Sequence, residues 1–483
     1  MVDEDRKRPH AIFFPYPLQG HVIPAVHFAT KLASAGFTIT FVNTHFVHHQ
    51  ISKSGADGRG GDDIFTASRK AGLDIRYETI SDGFPLGFDR SLNHDQFWEG
   101  ALHVLPAHVE EFVERKVSSK EKVSVLIADT FFVWPSTVAK KYNLLYVSFW
   151  TEPALVLTIY YHLHLLRSHG HFGSQDNRTD TIDYIPGVRA VEPTDLMSYL
   201  QPSCKDTSSI CHRIIDKAFD DVKRADFIII NTVRELEEET ISALHQTQPT
   251  YAIGPIFPTG FIDSPVATSM WPESNCTQWL DSKPPGSVLY VSFGSYAHAS
   301  KPAIHEIARG LLQSGVNFIW VVRPDIVSSD DPDPLPVGFE QKAREEGRGL
   351  VVVWCSQNKV LSHCAVGGFL THCGWNSILE SIWCGVPLLC FPLYTDQFTN
   401  RKLTVDDWKV GINLCDGDWV IRGEEVSKKI DRLMRGETAE DLRVKIKKVK
   451  KVLEDAWAAG GSSETGFRQF VEDIEVKINQ KSK

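Results

Sequence analysis

Short runs of β-branched and aromatic residues alternate along this chain with longer stretches whose apolar residues return every three or four positions, the pattern of parallel strands covered by helices. The first unit predicts a strand at Ala11–Phe14, a loop at Pro15–Gly20, a helix over Val22–Ala35 and a second strand at Thr38–Asn43. Strands are expected again at Val123–Ala128, Leu144–Phe149 and Phe227–Asn231, with helices between them and a flexible insert at Ser52–Asp63. Residues Gly254–Asn275 then carry four prolines and two glycines with no period, and the alternation restarts at Ser287. The second half repeats the logic, with strands expected at Val288–Ser292, Phe318–Val322, Leu350–Val353, Gly368–Thr371 and Pro387–Phe391. The fold class is α/β: two Rossmann-like domains, residues 1–253 and 277–460, joined by a linker at 254–276. Near the end Gly460-Gly461 breaks one helix, and Ser462 or Ser463 can cap the next. That last helix, 463–483, sets Phe467, Phe470, Val471, Ile474 and Ile478 on one face and must dock on an apolar surface.

With 483 residues, 42% hydrophobic and 23% charged, the chain is long enough for two buried cores and too apolar to be disordered. Its net charge of −10 leaves no electrostatic footprint for nucleic acid or anionic lipid. The charged start Met1–Arg8 has no apolar core of the kind a secretory leader requires, so the expected location is the cytoplasm. The longest apolar stretch, Ala154–Leu166, contains Thr158, His162 and His164, and no transmembrane helix is expected. Nine cysteines, six of them crowded at Cys355, Cys364, Cys373, Cys384, Cys390 and Cys415, read as reduced thiols, not a disulfide framework. In that setting the sequons at Asn177 and Asn275 are silent. No obligate protein partner is evident.

In open α/β sheets ligands sit beyond the carboxyl ends of strands, so the loops there are where chemistry is sought. No Gly-x-Gly-x-x-Gly and no Walker-type phosphate loop occurs, which weakens dinucleotide oxidoreductase and P-loop readings. The 44-residue segment Trp354–Gln397, WCSQNKVLSHCAVGGFLTHCGWNSILESIWCGVPLLCFPLYTDQ, is more informative. A strand at Phe369–Thr371 runs into His372-Cys373-Gly374, and a helix opens with Trp375, Asn376 and Ser377. The free N–H groups and positive dipole end of such a helix suit a phosphate. Glu380, one turn in, can accept from two adjacent hydroxyls such as a ribose presents, and Trp354 can stack on a flat base. Within the segment Lys359 is the sole Lys or Arg, so helix N–H groups, hydroxyls and His372 must meet the phosphate charge, and no divalent ion is called for.

This segment resembles the signature box of plant UDP-dependent glycosyltransferases acting on small molecules, in length and in nearly every position. The resemblance extends over the whole chain through FPYPLQGH, IADTFFVW around Asp129, INTVRELE, YAIGPIFP and LYVSFGS. It implies a GT-B fold in which the first domain holds the acceptor, the second holds the UDP-sugar, and the C-terminal helix crosses back to the first. It makes Trp354 the uracil platform and Gln357 and Glu380 the nucleoside partners. His372, Asn376, Ser377 and Ser295 become the diphosphate ligands, and Trp375, Asp396 and Gln397 grip the sugar. Gln397 is the residue glucose-using relatives carry, so UDP-glucose is the implied co-substrate, with no cofactor and no metal. The box departs from the usual Ala-Pro at Cys355-Ser356, where position 355 contacts uracil through its backbone, and carries Trp383 where small residues are common. In the family a His-Asp dyad acts as general base for an inverting transfer, and His21 and Asp129 occupy those positions. Tyr16, Gln19, Phe131, Trp150 and Tyr394 adjoin the matched motifs and are expected to line a pocket for a small lipophilic acceptor.

Taken alone, several of these residues have plainer readings. His21 is a loop or capping histidine on position alone, and Asp129 can N-cap a helix over Phe131–Tyr142. The pairs His363-Cys364 and His372-Cys373 repeat at a spacing that fits no zinc motif. Asp331-Pro332-Asp333 and Asp416-Gly417-Asp418 match the short Asp-x-Asp of metal-dependent transferases but read as surface loops, and Trp383 reads as a core aromatic. Three functions stay open: an inverting UDP-sugar transferase, a catalytically silent UDP-sugar or small-molecule binding protein, and a nucleotide-sugar epimerase of similar fold.

Overall fold

Two parallel sheets account for the alternation read along the chain, in a computed structural model that describes residues 8–54, 63–119, 121–174, 178–204, 206–257, 260–262, 269–327, 333–415 and 420–481. The Asp416-Gly417-Asp418 turn, Asp331 and Pro332 of the other acidic loop, the Asn177 sequon, and most of the Ser52–Asp63 insert lie outside the described residues, as do parts of the 254–276 segment. The contacts divide the chain into two units. The first takes the chain up to Val191, Pro202 to Met270, and Ala456 onward; the second takes Glu192 to Gln201 and Trp271 to Asp455.

Among the described residues the first unit holds seven strands: β1 (His10–Phe14), β2 (Thr38–Thr44), β3 (Ile75–Ile80), β4 (Val123–Asp129), β5 (Leu145–Trp150), β6 (Phe227–Ile230) and β7 (Thr250–Ala252). Their order is β3-β2-β1-β4-β5-β6-β7, every neighbouring pair parallel. Central strands are apolar throughout because both faces are covered, and side chains alternate between two cores. Ala11 and Phe13 of β1 join one core with Phe28, Phe41 and Phe149. Ile12 and Phe14 join the other with Leu126, Trp134 and Tyr146. The C-terminal helix Ser462–Lys481 completes the first of these cores: Phe470 and Ile474 are fully buried in it, with Phe467, Val471 and Ile478 packed alongside. Each fully buried side chain of this size contributes roughly 1.5–3 kcal/mol. Tyr251 donates to Asp473, Lys31 sits 4.5 Å over the Phe467 ring, and Lys477 pairs with Asp226 at 2.7 Å, fixing the helix along its length.

Several boundaries differ from the sequence expectation. Asp129 and Trp150 are the last residues of β4 and β5, not loop residues beyond them. The helix expected over Phe131–Tyr142, with Asp129 as its cap, begins only at Pro135 and ends at Lys141, because proline's fixed φ favours the first helical turn. The first helix runs Gln19–Ser34, three residues earlier than expected, and takes His21 into its opening turn. Strand β3 is hidden in the sequence because Arg76 and Glu78 interrupt its apolar run on a half-buried sheet edge, and β7 because it has three residues. The hydroxyls expected to cap the last helix are donors elsewhere, Ser462 to Glu235 and Ser463 to the Gly254 carbonyl.

The second unit holds β8 (Val288–Ser292), β9 (Asn317–Val321), β10 (Gly349–Val352), β11 (Val366–Thr371), β12 (Leu388–Cys390) and β13 (Gly411–Asn413), in the order β10-β9-β8-β11-β12-β13, again all parallel. Leu289, Val291, Trp320 and Leu370 face one core, and Val288, Tyr290, Ile319 and Phe369 the other. The short segment 192–201 belongs to this unit through specific bonds. Asp195 pairs with Arg401, the Asp195 carbonyl accepts from Thr399 Oγ1 at 2.7 Å, and Ser198 N–H donates to the Thr395 carbonyl at 3.0 Å. Among the described residues no helix is long and apolar enough to cross a membrane.

Candidate active site

In each sheet the strand order reverses once, between β1 and β4 in the first and between β8 and β11 in the second. Loops on either side of such a point part to leave room for a ligand. The predicted catalytic pair falls at the first reversal and the predicted diphosphate ligands at the second.

At the first, His21 stands in the opening turn of the helix that follows β1, and Asp129 ends β4. Their side chains meet with His21 Nδ1 2.7 Å from Asp129 Oδ2. The other carboxylate oxygen accepts the Phe131 N–H at 3.0 Å, which fixes Asp129, itself 1% exposed. A carboxylate can only accept, so Nδ1 carries the proton and Nε2 is left with a lone pair. Thr151 Oγ1, just past β5, lies 3.1 Å from the same Nδ1 and shares that proton. Sequence reasoning misses Thr151, although its place directly after a strand is the signal that could have found it.

Around the imidazole the side chains are aromatic. Tyr16 and Phe131 lie 5.6 and 5.8 Å from the His21 ring, centre to centre. Beside them Tyr16, Leu102, Phe131, Phe132, Val133 and Ile214 close around a narrow gap with no room for a water molecule. Trp150 stands behind Phe131, 1% exposed, its indole N–H donated to the Pro153 carbonyl at 2.9 Å. Gln19 is turned to the Met270 N–H, which it accepts at 3.4 Å. The next helix, Ala154–Tyr161, opens on N–H groups of Ala154 and Leu155 held by the Glu237 carboxylate at 3.1 and 2.8 Å, a cap supplied from far along the chain.

At the second reversal, β11 ends at Thr371 and the helix Trp375–Cys384 begins after three intervening residues, with Gly374 at its N-cap and no acidic residue in its first turn. Cys373 between them has φ of +69°, a conformation that costs a non-glycine residue energy and gathers at functional sites. It is held by its N–H to Thr371 Oγ1 at 3.2 Å and by Asn400 Nδ2 to its carbonyl at 2.9 Å. The His372 ring is flanked by two bare backbones: a Cβ at Gly294 would stand 2.6 Å from Nε2, and one at Gly374 2.5 Å. Burial, with the nearby Arg323 charge adding to it, pushes the imidazole down to about 3, so His372 is neutral. The result is a neutral donor beside an uncapped helix start, with Asn376, Ser377 and the partly exposed Ser295 as further polar groups.

Gln357 and Glu380 are bonded to each other, Gln357 Nε2 to Glu380 Oε2 at 2.6 Å, and the same amide reaches Ser377 Oγ at 3.1 Å. Tyr290 O–H donates to Gln357 Oε1 at 3.3 Å. Burial pushes the Glu380 carboxyl up to about 7. Trp354 lies half-exposed and roughly parallel to Trp271, 6.3 Å between ring centres. Cys355 points its thiol inward, 3% exposed and 3.8 Å from the Tyr290 hydroxyl, so its departure from alanine is felt in the core. Buried Trp375 packs tilted against Trp408, ring centres 5.9 Å apart. Asp396 is tied by Thr395 Oγ1 and Asn400 Nδ2, and Gln397 Oε1 accepts the N–H groups of Leu393 and Tyr394 at 2.9 and 3.2 Å. Tyr394, expected at the acceptor pocket, belongs to the second unit and donates its hydroxyl to the Tyr296 carbonyl at 3.1 Å. Among the described residues no group of three or more His, Cys, Asp or Glu side chains is gathered as a metal ion would need.

Comparison with known proteins gives this geometry a lineage. The family described as UDP-glucoronosyl and UDP-glucosyl transferase matches residues 261–415. UDP-glycosyltransferase 86A1 of Arabidopsis thaliana is 61% identical, over 98% of this chain and 96% of its own length. The (R)-mandelonitrile beta-glucosyltransferase of Prunus dulcis is 33% identical, over 97% of this chain and 98% of its own. The crystal structure of Medicago truncatula UGT71G1 complexed with UDP-glucose superposes with a TM-score of 0.80 at 28% identity, covering 98% of this chain and 100% of that one. Two Rossmann-like sheets, the matched segment around Trp354–Gln397 and near-full-length relatives place the chain in the plant UDP-glycosyltransferase family, GT-B enzymes that transfer a sugar from a UDP-sugar to a small molecule.

Proposed function

We propose that this enzyme transfers glucose from UDP-glucose to a hydroxyl of a small lipophilic acceptor, with inversion at the anomeric carbon. The observation that carries the reading is the 2.7 Å contact between His21 Nδ1 and Asp129 Oδ2, because it leaves Nε2 free to take a proton. The acceptor hydroxyl gives its proton to Nε2 as its oxygen attacks the anomeric carbon. The bond from that carbon to the diphosphate oxygen breaks, and UDP leaves with the electron pair. Asp129 stabilises the imidazolium that forms. One in-line displacement turns an α-linked donor into a β-linked product, and no enzyme nucleophile is required.

On the donor side, Trp354 and the Cys355 backbone take the uracil, and Gln357 with Glu380 the ribose. Ser295, His372, Asn376 and Ser377 take the diphosphate, supported by the two glycine backbones that pack against the His372 ring so closely that a Cβ at either would collide with it. Trp375, Asp396 and Gln397 hold the sugar, and no metal is used. The aromatic wall of Tyr16, Phe131 and Phe132 suits a flat alcohol or phenol.

The test is competition among UDP-glucose, UDP-galactose, UDP-xylose and UDP-glucuronate with an acceptor panel, followed by NMR of the product's anomeric proton. Glucose transfer with a β linkage is expected, and free UDP is expected only when acceptor is present. An α-linked product overturns the mechanism, and UDP release without acceptor overturns the transfer.

A further inference from the structure

We propose that Arg323 is a positioning residue for the donor diphosphate: it pins the Gly294 and Ala297 carbonyls of the 293–298 loop behind the site, so that the N–H of Ser295 faces the diphosphate. The inference rests on reading Ser295 and His372 as diphosphate ligands.

Arg323 follows β9 at its carboxyl end, and the 293–298 loop follows the adjacent strand β8. The guanidinium is 1% exposed. Such a buried cation is retained only where its donors are met. Nη1 donates to the Gly294 carbonyl, Nη2 to the Ala297 carbonyl at 2.7 Å, and Nε to Asp325 Oδ1 at 2.8 Å. The Tyr394 hydroxyl takes the Tyr296 carbonyl between them. Three carbonyls of one short loop are drawn back by two side chains. In a trans peptide the C=O and the following N–H point in opposite directions. Holding the Gly294 carbonyl therefore turns the N–H of Ser295 away from the guanidinium, and the Tyr394 hydroxyl in the same way turns the N–H of Ala297 away from itself. Gly294 itself stands between Arg323, which its carbonyl meets, and the Nε2 edge of His372.

The arrangement also answers a question of charge. The signature segment holds no arginine, and neutral His372 adds no positive charge. Arg323 is itself balanced by Asp325 at 2.8 Å, so it acts from one backbone layer behind the ligands through the peptide dipoles it orients and not as a free positive charge.

The experiment compares UDP with uridine, which lacks the diphosphate, by calorimetric titration of the full-length protein and its Arg323→Lys, Arg323→Met and Ser295→Ala variants. Arg323→Met is expected to lower UDP affinity at least about tenfold while uridine affinity stays nearly constant. Arg323→Lys keeps the charge and one donor and is expected to recover part of the loss. A merely structural role lowers both affinities together. An unchanged UDP-to-uridine ratio in either folded arginine variant overturns the brace, and Arg323→Lys decides if Arg323→Met does not fold. If Ser295→Ala lowers the ratio and the arginine variants do not, the brace alone falls. If Ser295→Ala leaves the ratio unchanged, the Ser295 hydroxyl is no diphosphate ligand and that part of the underlying reading falls, while the arginine variants, which act on the backbone N–H that alanine keeps, still decide the brace.

Discussion

His21 and Asp129 stand 108 residues apart in the chain, yet the helix after β1 and the end of β4 bring Nδ1 and Oδ2 to 2.7 Å at the reversal of one sheet. Replacing His21 by alanine removes the base and is expected to slow transfer by about 10² to 10⁴-fold. UDP affinity is expected to stay as it is, since the donor residues belong to the other unit. Asp129→Asn leaves the packing but loses the carboxylate that fixes the tautomer, so turnover falls and its pH dependence shifts. Steady-state rates from pH 5 to 9 with calorimetry for UDP decide both, and near-normal turnover by His21→Ala refutes the assignment.

Glu380 predicts a pH dependence of donor binding. Burial holds its carboxyl at about 7, against an ordinary value of 4.5. Ribose hydroxyls donate to the ionised form, so UDP affinity is expected to weaken as pH falls below about 7, and Glu380→Gln to show weaker, flat binding across the range. Folding responds the other way. Between 4.5 and 7 the native state binds more protons than the unfolded chain, so this group costs stability as pH rises through that window, about 1.4 kcal/mol for each pH step of one crossed. Glu380→Gln is therefore expected to melt higher than wild type at pH 8 and alike at pH 4.

His27, buried in the helix after β1, is pushed down to about 4 by desolvation alone. Its native value lies below the unfolded 6.5, so its contribution to stability is full above 6.5 and is lost as pH falls toward 4. A His27→Gln variant is expected to lose this acid sensitivity, measured as the change in denaturant midpoint between pH 7 and pH 5. A midpoint difference equal to that of wild type counts against it.

Chelation should leave transfer intact. The diphosphate charge is assigned to helix N–H groups, Ser295 and Ser377 hydroxyls, and the Arg323-braced loop. Activity abolished by EDTA and restored by Mg²⁺ or Mn²⁺ would show that this assignment is incomplete.

Much of this was legible in the residues. The apolar runs of β1, β4, β8 and β11 announce central strands because parallel sheets bury both faces, and the one-sided pattern of the last helix announces that it must dock. Short or charged edge strands are not announced: β7 and β13 have three residues each, and β3 alternates polar with apolar. Most of the residues proposed for the donor could be named because they cluster in one segment, Ser295 excepted. Their supports could not, because they come from elsewhere in the chain: Arg323 from just past β9, Asn400 from the helix Gln397–Lys402, and Ser198 from a segment of the second unit that lies in sequence between two stretches of the first. Nothing local distinguishes an arginine that will be buried beneath a loop from one at the surface. Only the fold brings the partner carbonyls to it.

The first core begins at Ala11 and is closed by Phe470 and Ile474. On the ribosome, the sheet assembled from the early strands waits, with Phe28, Phe227 and Tyr251 uncovered on the face the last helix will take, while the whole second unit is made. The half of the enzyme that is synthesised first is the half that finishes folding last, and a nascent chain must be shielded from aggregation over that interval. A chain that lacks the helix Ser462–Lys481 leaves Phe28, Phe227 and Tyr251 without the Phe470 ring that covers them.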